Sequence, residues 1–242
     1  RDTGLIGTIE TRIGSEVLTS TRTTPEAPEL QSLAAVMRER HMRHLVMEVS
    51  SHAMVLHRMQ GAHFTFVGFT NLTQDHLDFH GDIESYFAAK AKLFTYDFAD
   101  QAVINIDSDY GARLADTTDL PVISLSRLNP QATWHYAEID TSGKQVQFKV
   151  RGSGGILIES STKLRGGYNL DNLLMAIAMA VAGTCRGAEA VSSPKTRVSY
   201  SEAYGKTDRA TNVAAADLAR FAPVSPDRAL ETFQIRKGFR LE

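Results

Sequence analysis

In the first part of the chain, segments whose apolar residues recur at helical spacing alternate with short apolar runs typical of strands. Over residues 30–37 the apolar residues follow one face of an amphipathic helix, which Thr24-Pro25 is placed to begin. A second helical pattern runs over 83–95. Three short apolar runs are typical of strands in a covered parallel sheet: 44–49, 63–70 and 101–106. Because strand and helix alternate from about residue 27 to 115, the pattern favours an α/β fold.

The pattern changes after residue 120, where short β-type segments are separated by turns. We expect strands at 121–125, 133–139, 146–150 and 155–159, and a hairpin over 8–20 around Gly14-Ser15. Residues 168–182 are apolar on most helical faces, which predicts a buried helix. The predicted fold is α/β, with a Rossmann-like, mostly parallel sheet flanked by helices and a smaller antiparallel β extension.

The last part of the chain has a different composition. Residues 185–242 contain few large aliphatic side chains and many Ala, Ser, Thr and Arg. Short helices are expected at 211–221 and 225–235, with Ser225 as the cap of the second. We therefore predict one domain over 1–184 and a weakly ordered or short-helical tail over 185–242.

Composition excludes some classes of partner. Lys+Arg 26 against Asp+Glu 28 gives a net charge of −2, which argues against a nucleic-acid binder. The longest apolar stretch, 173–183, is shorter than the roughly 20 residues of a membrane span, so no membrane association is expected. A single cysteine, Cys185, cannot form an internal disulfide, and we expect a cytoplasmic protein.

Carboxylates and imidazoles follow two of the predicted strands. Glu48 comes directly after the run 44–47, and His76 lies in the acidic and imidazole-rich segment 74–82. Ligand sites in open α/β sheets collect beyond the carboxyl ends of strands, so a metal or phosphate site is expected there. One hypothesis is a metal-dependent hydrolase that uses Glu48 with Asp75, His76, Asp78 and His80.

Lys90 occupies an unusual position on the second predicted helix. It lies on the apolar stripe formed by Ile83, Phe87 and Phe94. A lysine there either extends its ammonium to solvent, pairs with an anion, or loses its proton. A neutral amine can capture CO2, and the resulting carbamate is an oxygen ligand suited to Mg²⁺. The alternative, a lysine that reaches solvent, stays open at this point.

Six separated motifs together resemble the Mur ligase family. They include Thr-Asn-Leu-Thr-Gln-Asp-His-Leu-Asp-Phe-His-Gly over 70–81 and occur in the order seen in that family: 4–8, 23–26, 47–53, 70–81, 86–90 and 167–172. The resemblance covers about residues 4–184. It is greatest to the members that add the third amino acid to the peptidoglycan precursor, with meso-diaminopimelate favoured over L-lysine.

The resemblance implies an ATP-dependent ligase that activates a carboxylate as an acyl phosphate and joins it to an amine. ATP and Mg²⁺ are the implied cofactors, and UDP-muramyl dipeptide and an amino acid are the implied substrates. The implied site residues are Glu48, His76 and carbamylated Lys90 for Mg²⁺, Thr23, Thr24, Ser50 and Arg58 for the UDP-muramyl dipeptide, and Asn172 for the adenine.

The sequence departs from the family pattern at both ends. The Gly-rich phosphate loop is expected shortly before residues 4–7, and it is not in the sequence. Residues 185–242 do not resemble the C-terminal domain that selects the third amino acid. We therefore expect the chain alone to release no phosphate from ATP, and a non-catalytic protein that binds the muramyl dipeptide is a further hypothesis.

Overall fold

The computed structural model describes residues 2–73 and 77–185, which form ten strands and six helices. The strands are β1 (Thr3–Ile6), β2 (Glu10–Ile13), β3 (Glu16–Thr19), β4 (His44–Met47), β5 (Phe64–Phe69), β6 (Ala99–Asn105), β7 (Val122–Ser126), β8 (Trp134–Asp140), β9 (Val146–Arg151) and β10 (Leu157–Thr162). The helices are α1 (Ala27–Glu39), α2 (Ser51–Val55), α3 (Leu77–His80), α4 (Ile83–Ala91), α5 (Asp109–Thr117) and α6 (Gly167–Cys185).

The first four strands form one sheet in the order β3-β2-β1-β4. Strands β1 and β4 are parallel, whereas β1, β2 and β3 are antiparallel neighbours. The predicted hairpin is confirmed: Ile13 pairs with Glu16, and Gly14 between them has a φ of 64°. This left-handed conformation favours glycine because a Cβ there would be strained.

The other six strands form a second sheet in the order β10-β9-β8-β7-β6-β5. Neighbours from β5 to β8 are parallel, and β8, β9 and β10 are antiparallel. The prediction of a mostly parallel sheet with an antiparallel extension is therefore confirmed. The runs 44–49 and 63–70, both expected in a parallel sheet, contribute their strands to different sheets.

One hydrophobic cluster includes side chains from both sheets and from the helices beside them. Ile6 of β1, Leu30 of α1, Phe87 of α4 and Ile104 of β6 are all buried members of it. Burial of each such side chain stabilises the folded state by roughly 1.5–3 kcal/mol. The continuous core fixes the strand ends that carry the candidate site.

Two helix boundaries differ from the prediction. Helix α1 begins at Ala27 rather than at Thr24-Pro25, with the extended Glu26 before it and a proline in its first turn. The Thr24 hydroxyl caps no helix, because it bonds to the chain after β4. Helix α4 ends at Ala91 because the next amides, of Leu93 and Phe94, bond to carbonyls three residues back.

The chain divides into two compact units, with the boundary between Ala178 and Met179. Of the second unit, the structure describes only Met179–Cys185, the last turns of α6. The helices predicted at 211–221 and 225–235 lie outside the described residues, and the predicted boundary at residue 184 stays a prediction. Within residues 2–73 and 77–185, no helix has the length and apolar character needed to cross a bilayer.

Candidate functional site

The carboxyl ends of β1 and β4 lie side by side because the two strands are parallel and Ile6 pairs with Met47. Thr8 and Glu48 follow these ends. The Thr8 amide and hydroxyl both donate to Glu48 Oε2, at 3.1 and 2.7 Å. The other carboxylate oxygen, Oε1, accepts no hydrogen bond from the described residues. Glu48 is therefore held by one oxygen and presents the second as an acceptor.

Thr24 joins the loop before α1 to the chain after β4. Its hydroxyl donates to the Glu48 carbonyl and accepts from the Ser50 amide, each at 3.0 Å, and only 1% of Thr24 is exposed. Thr23 lies beside it, with its hydroxyl 3.0 Å from that of Thr8. Since the Thr24 hydroxyl is occupied, its contribution in this structure is to hold the loop in place.

Ser50 begins helix α2. It has extended backbone angles, and its hydroxyl accepts a hydrogen bond from the Ala53 amide at 3.2 Å. A serine in this role stabilises a helix by about 1 kcal/mol. The pattern of the sequence does not predict this five-residue helix, which is too short for a periodic signal.

Arg58 lies just beyond α2 and is largely buried, with 14% of its side chain exposed. Its Nη1 donates to the Thr24 carbonyl at 3.2 Å, and its Nη2 pairs with Glu26 at 3.0 Å. The remaining donor, Nε, is buried and makes no hydrogen bond with the residues that the structure describes. A buried donor of this kind is costly unless something binds it. We name Thr8, Thr23, Thr24, Glu48, Ser50 and Arg58 the strand-end site.

Lys90 is half-buried on α4, between the buried side chains of Phe87 and Phe94 on the predicted stripe. Its ammonium lies over the Tyr86 ring, with Nζ 5.1 Å from the ring centroid. The negative face of an aromatic ring attracts a cation at this distance. The predicted stripe is thus present, with an aromatic face close to the amine.

Beside Lys90 lies a set of rings that sequence analysis did not predict. The His80 imidazole is stacked on Tyr86 and its Nε2 is 2.8 Å from the hydroxyl of the buried Ser51. The rings of His52 and Phe79 complete the set. Nothing in the local pattern indicated that His80 and Ser51, 29 residues apart, would meet.

The residues expected to bind a metal are only partly covered by the structure. Asp75 and His76 lie outside the described residues, so the role of His76 stays a prediction. Among the residues described, no three His, Cys, Asp or Glu side chains are grouped as metal ligands. Because His80 is engaged with Ser51 and Tyr86, the described part of the cluster gives the hydrolase hypothesis no support. Glu48 offers an oxygen ligand of the type that Mg²⁺ prefers.

Asn172, expected to contact adenine, is exposed in the second turn of α6. A neighbouring amide, that of Asn169, donates to the Arg165 carbonyl at 2.7 Å. The exposed position leaves the Asn172 side chain accessible to a ligand. Its role in nucleotide binding stays a prediction.

A second polar network lies where β6 and β7 end. Both oxygens of Asp107 are used: Oδ1 accepts from the Ser126 hydroxyl and Oδ2 from the Arg127 amide at 2.8 Å. Arg127 in turn donates through Nε to Asp171 at 3.0 Å. Asn105 Oδ1 accepts from the Asp107 amide. We name these five residues the closed network.

The pKa of the Asp171 carboxyl depends on two features of this network. Burial raises the pKa of its carboxyl, and the nearby Arg127 guanidinium opposes the rise. The sequence did not indicate the network because its hydrogen-bonded partners are separated by up to 44 residues.

Comparison with known proteins identifies the family of the chain. Residues 1–180 match the Mur ligase middle domain. The chain is 46% identical over 185 residues to UDP-N-acetylmuramoyl-L-alanyl-D-glutamate–2,6-diaminopimelate ligase of Streptomyces coelicolor, covering 76% of this chain and 37% of that protein. It is 43% identical over 179 residues to UDP-N-acetylmuramyl-tripeptide synthetase of Leifsonia xyli, covering 74% of this chain and 35% of the relative.

A solved structure of a UDP-N-acetylmuramoyl-L-alanyl-D-glutamate–2,6-diaminopimelate ligase is also similar. It has a TM-score of 0.67 and 25% identity, over 77% of this chain and 38% of that one. The chain thus spans little more than a third of the length of these relatives. Since the family match covers most of the chain, the chain belongs to the Mur ligase family through its middle domain.

Proposed function

We propose that this chain is the central part of an ATP-dependent ligase that joins meso-diaminopimelate to UDP-N-acetylmuramoyl-L-alanyl-D-glutamate. The observation that carries the proposal is the strand-end site, which keeps a carboxylate oxygen of Glu48 and a buried donor of Arg58 without hydrogen bonds from the described residues. The names of the relatives from Streptomyces coelicolor and Leifsonia xyli support the reaction.

The proposed reaction has two steps. A carboxylate of the muramyl dipeptide attacks the terminal phosphorus of ATP, and ADP leaves, which gives an acyl phosphate. The amine of the amino acid then attacks the acyl carbon, phosphate leaves, and the amine loses a proton as the amide forms. Arg58 suits the binding of phosphate or carboxylate oxygens because guanidinium groups bind them strongly. Thr23, Thr24 and Ser50 are proposed to shape the same pocket, and Asn172 to bind the adenine.

Lys90 is proposed to act as a carbamate. The ammonium first loses one proton to give the neutral amine. The amine then attacks CO2, an N–C bond forms as one C=O π bond of CO2 opens, and a second proton is released, so that the cationic side chain becomes an anion. Glu48, His76 and this carbamate would hold Mg²⁺, which neutralises phosphate charge when bound. The half-buried position of Lys90 on the stripe between Phe87 and Phe94 supports the proposal.

We also propose a cytoplasmic location. The single cysteine in the sequence and the dependence of the proposed reaction on ATP support it.

Calorimetric titration with UDP-N-acetylmuramoyl-L-alanyl-D-glutamate tests the proposal. The unmodified chain is expected to bind the dipeptide, and Arg58→Lys to weaken binding by about tenfold, since lysine lacks the planar set of donors. Arg38→Lys on the exposed surface of α1 is the matched control and should leave the affinity unchanged. Absence of binding to the unmodified chain, or equal affinity of Arg58→Lys, would contradict the proposal.

A further inference from the structure

Three helices meet at one imidazole. His80 is the last residue of α3, and it contacts Ser51 of α2 and Tyr86 of α4. Helix α2 begins directly after the strand-end site, and α4 carries Lys90. We propose that His80 is a positioning residue, which fixes the place of the Lys90 amine relative to the strand-end site. This inference rests on the proposed function for the importance of Lys90.

The first link is the hydrogen bond between His80 and Ser51. Ser51 is 3% exposed, and it follows Ser50, whose hydroxyl caps α2. The Ser51 hydroxyl is 2.8 Å from His80 Nε2. Because Ser51 is buried in the first turn of a capped helix, it is a fixed point to which the imidazole is attached.

The second link is the contact of His80 with Tyr86. The two rings are 4.9 Å apart between centroids, with an angle of 19° between their planes. Tyr86 is 7% exposed, and its amide bonds to the Asp82 carbonyl at the start of α4. Near-parallel rings at this distance attract one another, so the orientation of the imidazole restrains the tyrosine ring.

The third link is the contact of Tyr86 with Lys90. The two residues are one helical turn apart, which places their side chains on the same face. The ammonium lies 5.1 Å from the ring centroid. A shift of the tyrosine ring would therefore move the favoured position of the lysine amine.

The role of His80 differs from that of a core residue. Helix α3 has four residues, none of them buried, so its burial adds little to stability. Two of the contacts that His80 makes are directional: the hydrogen bond through Nε2 to Ser51 and the stack on Tyr86. A side chain that merely filled the space would not need a nitrogen at this position.

The test is the acylation of Lys90 by acetic anhydride in the full chain, followed by mass spectrometry. Lys92, exposed two residues away on the same chain segment, is the internal reference. In His80→Phe the ratio of the Lys90 rate to the Lys92 rate is expected to change by about threefold, as loss of one neutral hydrogen bond implies. His80→Gln, which keeps a hydrogen-bonding group, should restore most of the original ratio.

Two further variants keep the result interpretable. Ser51→Ala removes the hydroxyl with little change in volume and should shift the ratio in the same direction, which covers the case in which His80→Phe does not fold. His63→Gln, an exposed histidine paired with Asp100, should leave the ratio unchanged. An unchanged ratio in Ser51→Ala and in folded His80→Phe would overturn the inference.

Carbamate formation separates this inference from the proposed function. With ¹³C-labelled bicarbonate, carbon NMR of the unmodified chain should show a carbamate that is lost in Lys90→Arg. If the unmodified chain shows no such carbamate signal, the proposed role of Lys90 fails. The acylation ratio still decides the role of His80. If the unmodified chain does show the signal, the signal should be weaker in Ser51→Ala than in His63→Gln.

Discussion

The strand-end site and the closed network both lie where two parallel strands end, yet they use their polar atoms differently. In the closed network both oxygens of Asp107 accept hydrogen bonds, from Ser126 and Arg127. In the strand-end site Glu48 Oε1 and Arg58 Nε have no hydrogen bond from the described residues. Two sites of similar location in the fold therefore differ in what they leave for a ligand.

This difference supports the proposal that the closed network stabilises the fold, whereas the strand-end site binds a ligand. Burying a polar group without a partner costs free energy, so a network built for stability uses its donors and acceptors internally. A site built for a ligand carries that cost until the ligand arrives. The comparison predicts that substitutions in the closed network lower stability, and that those in the strand-end site affect binding more.

The largest loss of stability is expected from Asp107→Ala. It leaves the Ser126 hydroxyl and the Arg127 amide without their acceptor, which should lower the free energy of unfolding by about 3 kcal/mol. Urea unfolding measures this change. Asp116→Ala, an exposed carboxylate on α5, is the control and should change little; equal losses in the two variants would mean that the network does not stabilise the fold.

A smaller loss is expected from Thr24→Val in the strand-end site. The variant keeps the shape of the side chain and removes two hydrogen bonds, to the Glu48 carbonyl and from the Ser50 amide. The free energy of unfolding should fall by about 1–2 kcal/mol, and affinity for the muramyl dipeptide should fall as well. Thr21→Val is the exposed control. Unchanged stability and affinity would show that the Thr24 bridge does not hold the loop.

The smallest effect is a pH dependence from Asp171. Burial raises the pKa of this carboxyl above its ordinary value of 3.8, so the folded protein binds its proton more readily than the unfolded chain does. The stabilising contribution is present below pH 3.8 and is lost as the pH rises through the higher pKa of the folded state. Unfolding measured from acidic to neutral pH should show the original protein losing stability relative to Asp171→Asn. The opposite slope would mean that the Arg127 pair outweighs burial.

The sequence was sufficient to predict the main elements because their signals are local. Periodicity located α1, α4 and α6 and most strands, and the turn residues Gly14-Ser15 located the hairpin. The family resemblance also pointed to Thr24, Ser50 and Arg58, which lie close together in the structure. The predicted start of α1 was wrong because the Thr24 hydroxyl bonds to a distant strand end rather than to the helix that follows it.

What the sequence could not predict depends on contacts between distant residues. His80 lies in the same motif as the candidate metal ligands, and only the packing of α2 and α3 reveals that it bonds to Ser51. The pairing of Arg127 with Asp171 similarly depends on where α6 meets β7. Such contacts follow from the assembled fold, and no spacing along the chain encodes them.

Gly4, in the middle of β1, has a consequence that reaches the other end of that strand. A Cβ at this position would overlap the sulfur of Met37 on α1, so any larger residue here would require the Met37 side chain to move. Strand β1 leads on to Thr8 and pairs with β4, which leads on to Glu48. The packing of Met37 on Gly4 is thus connected through β1 to the strand end that carries the site.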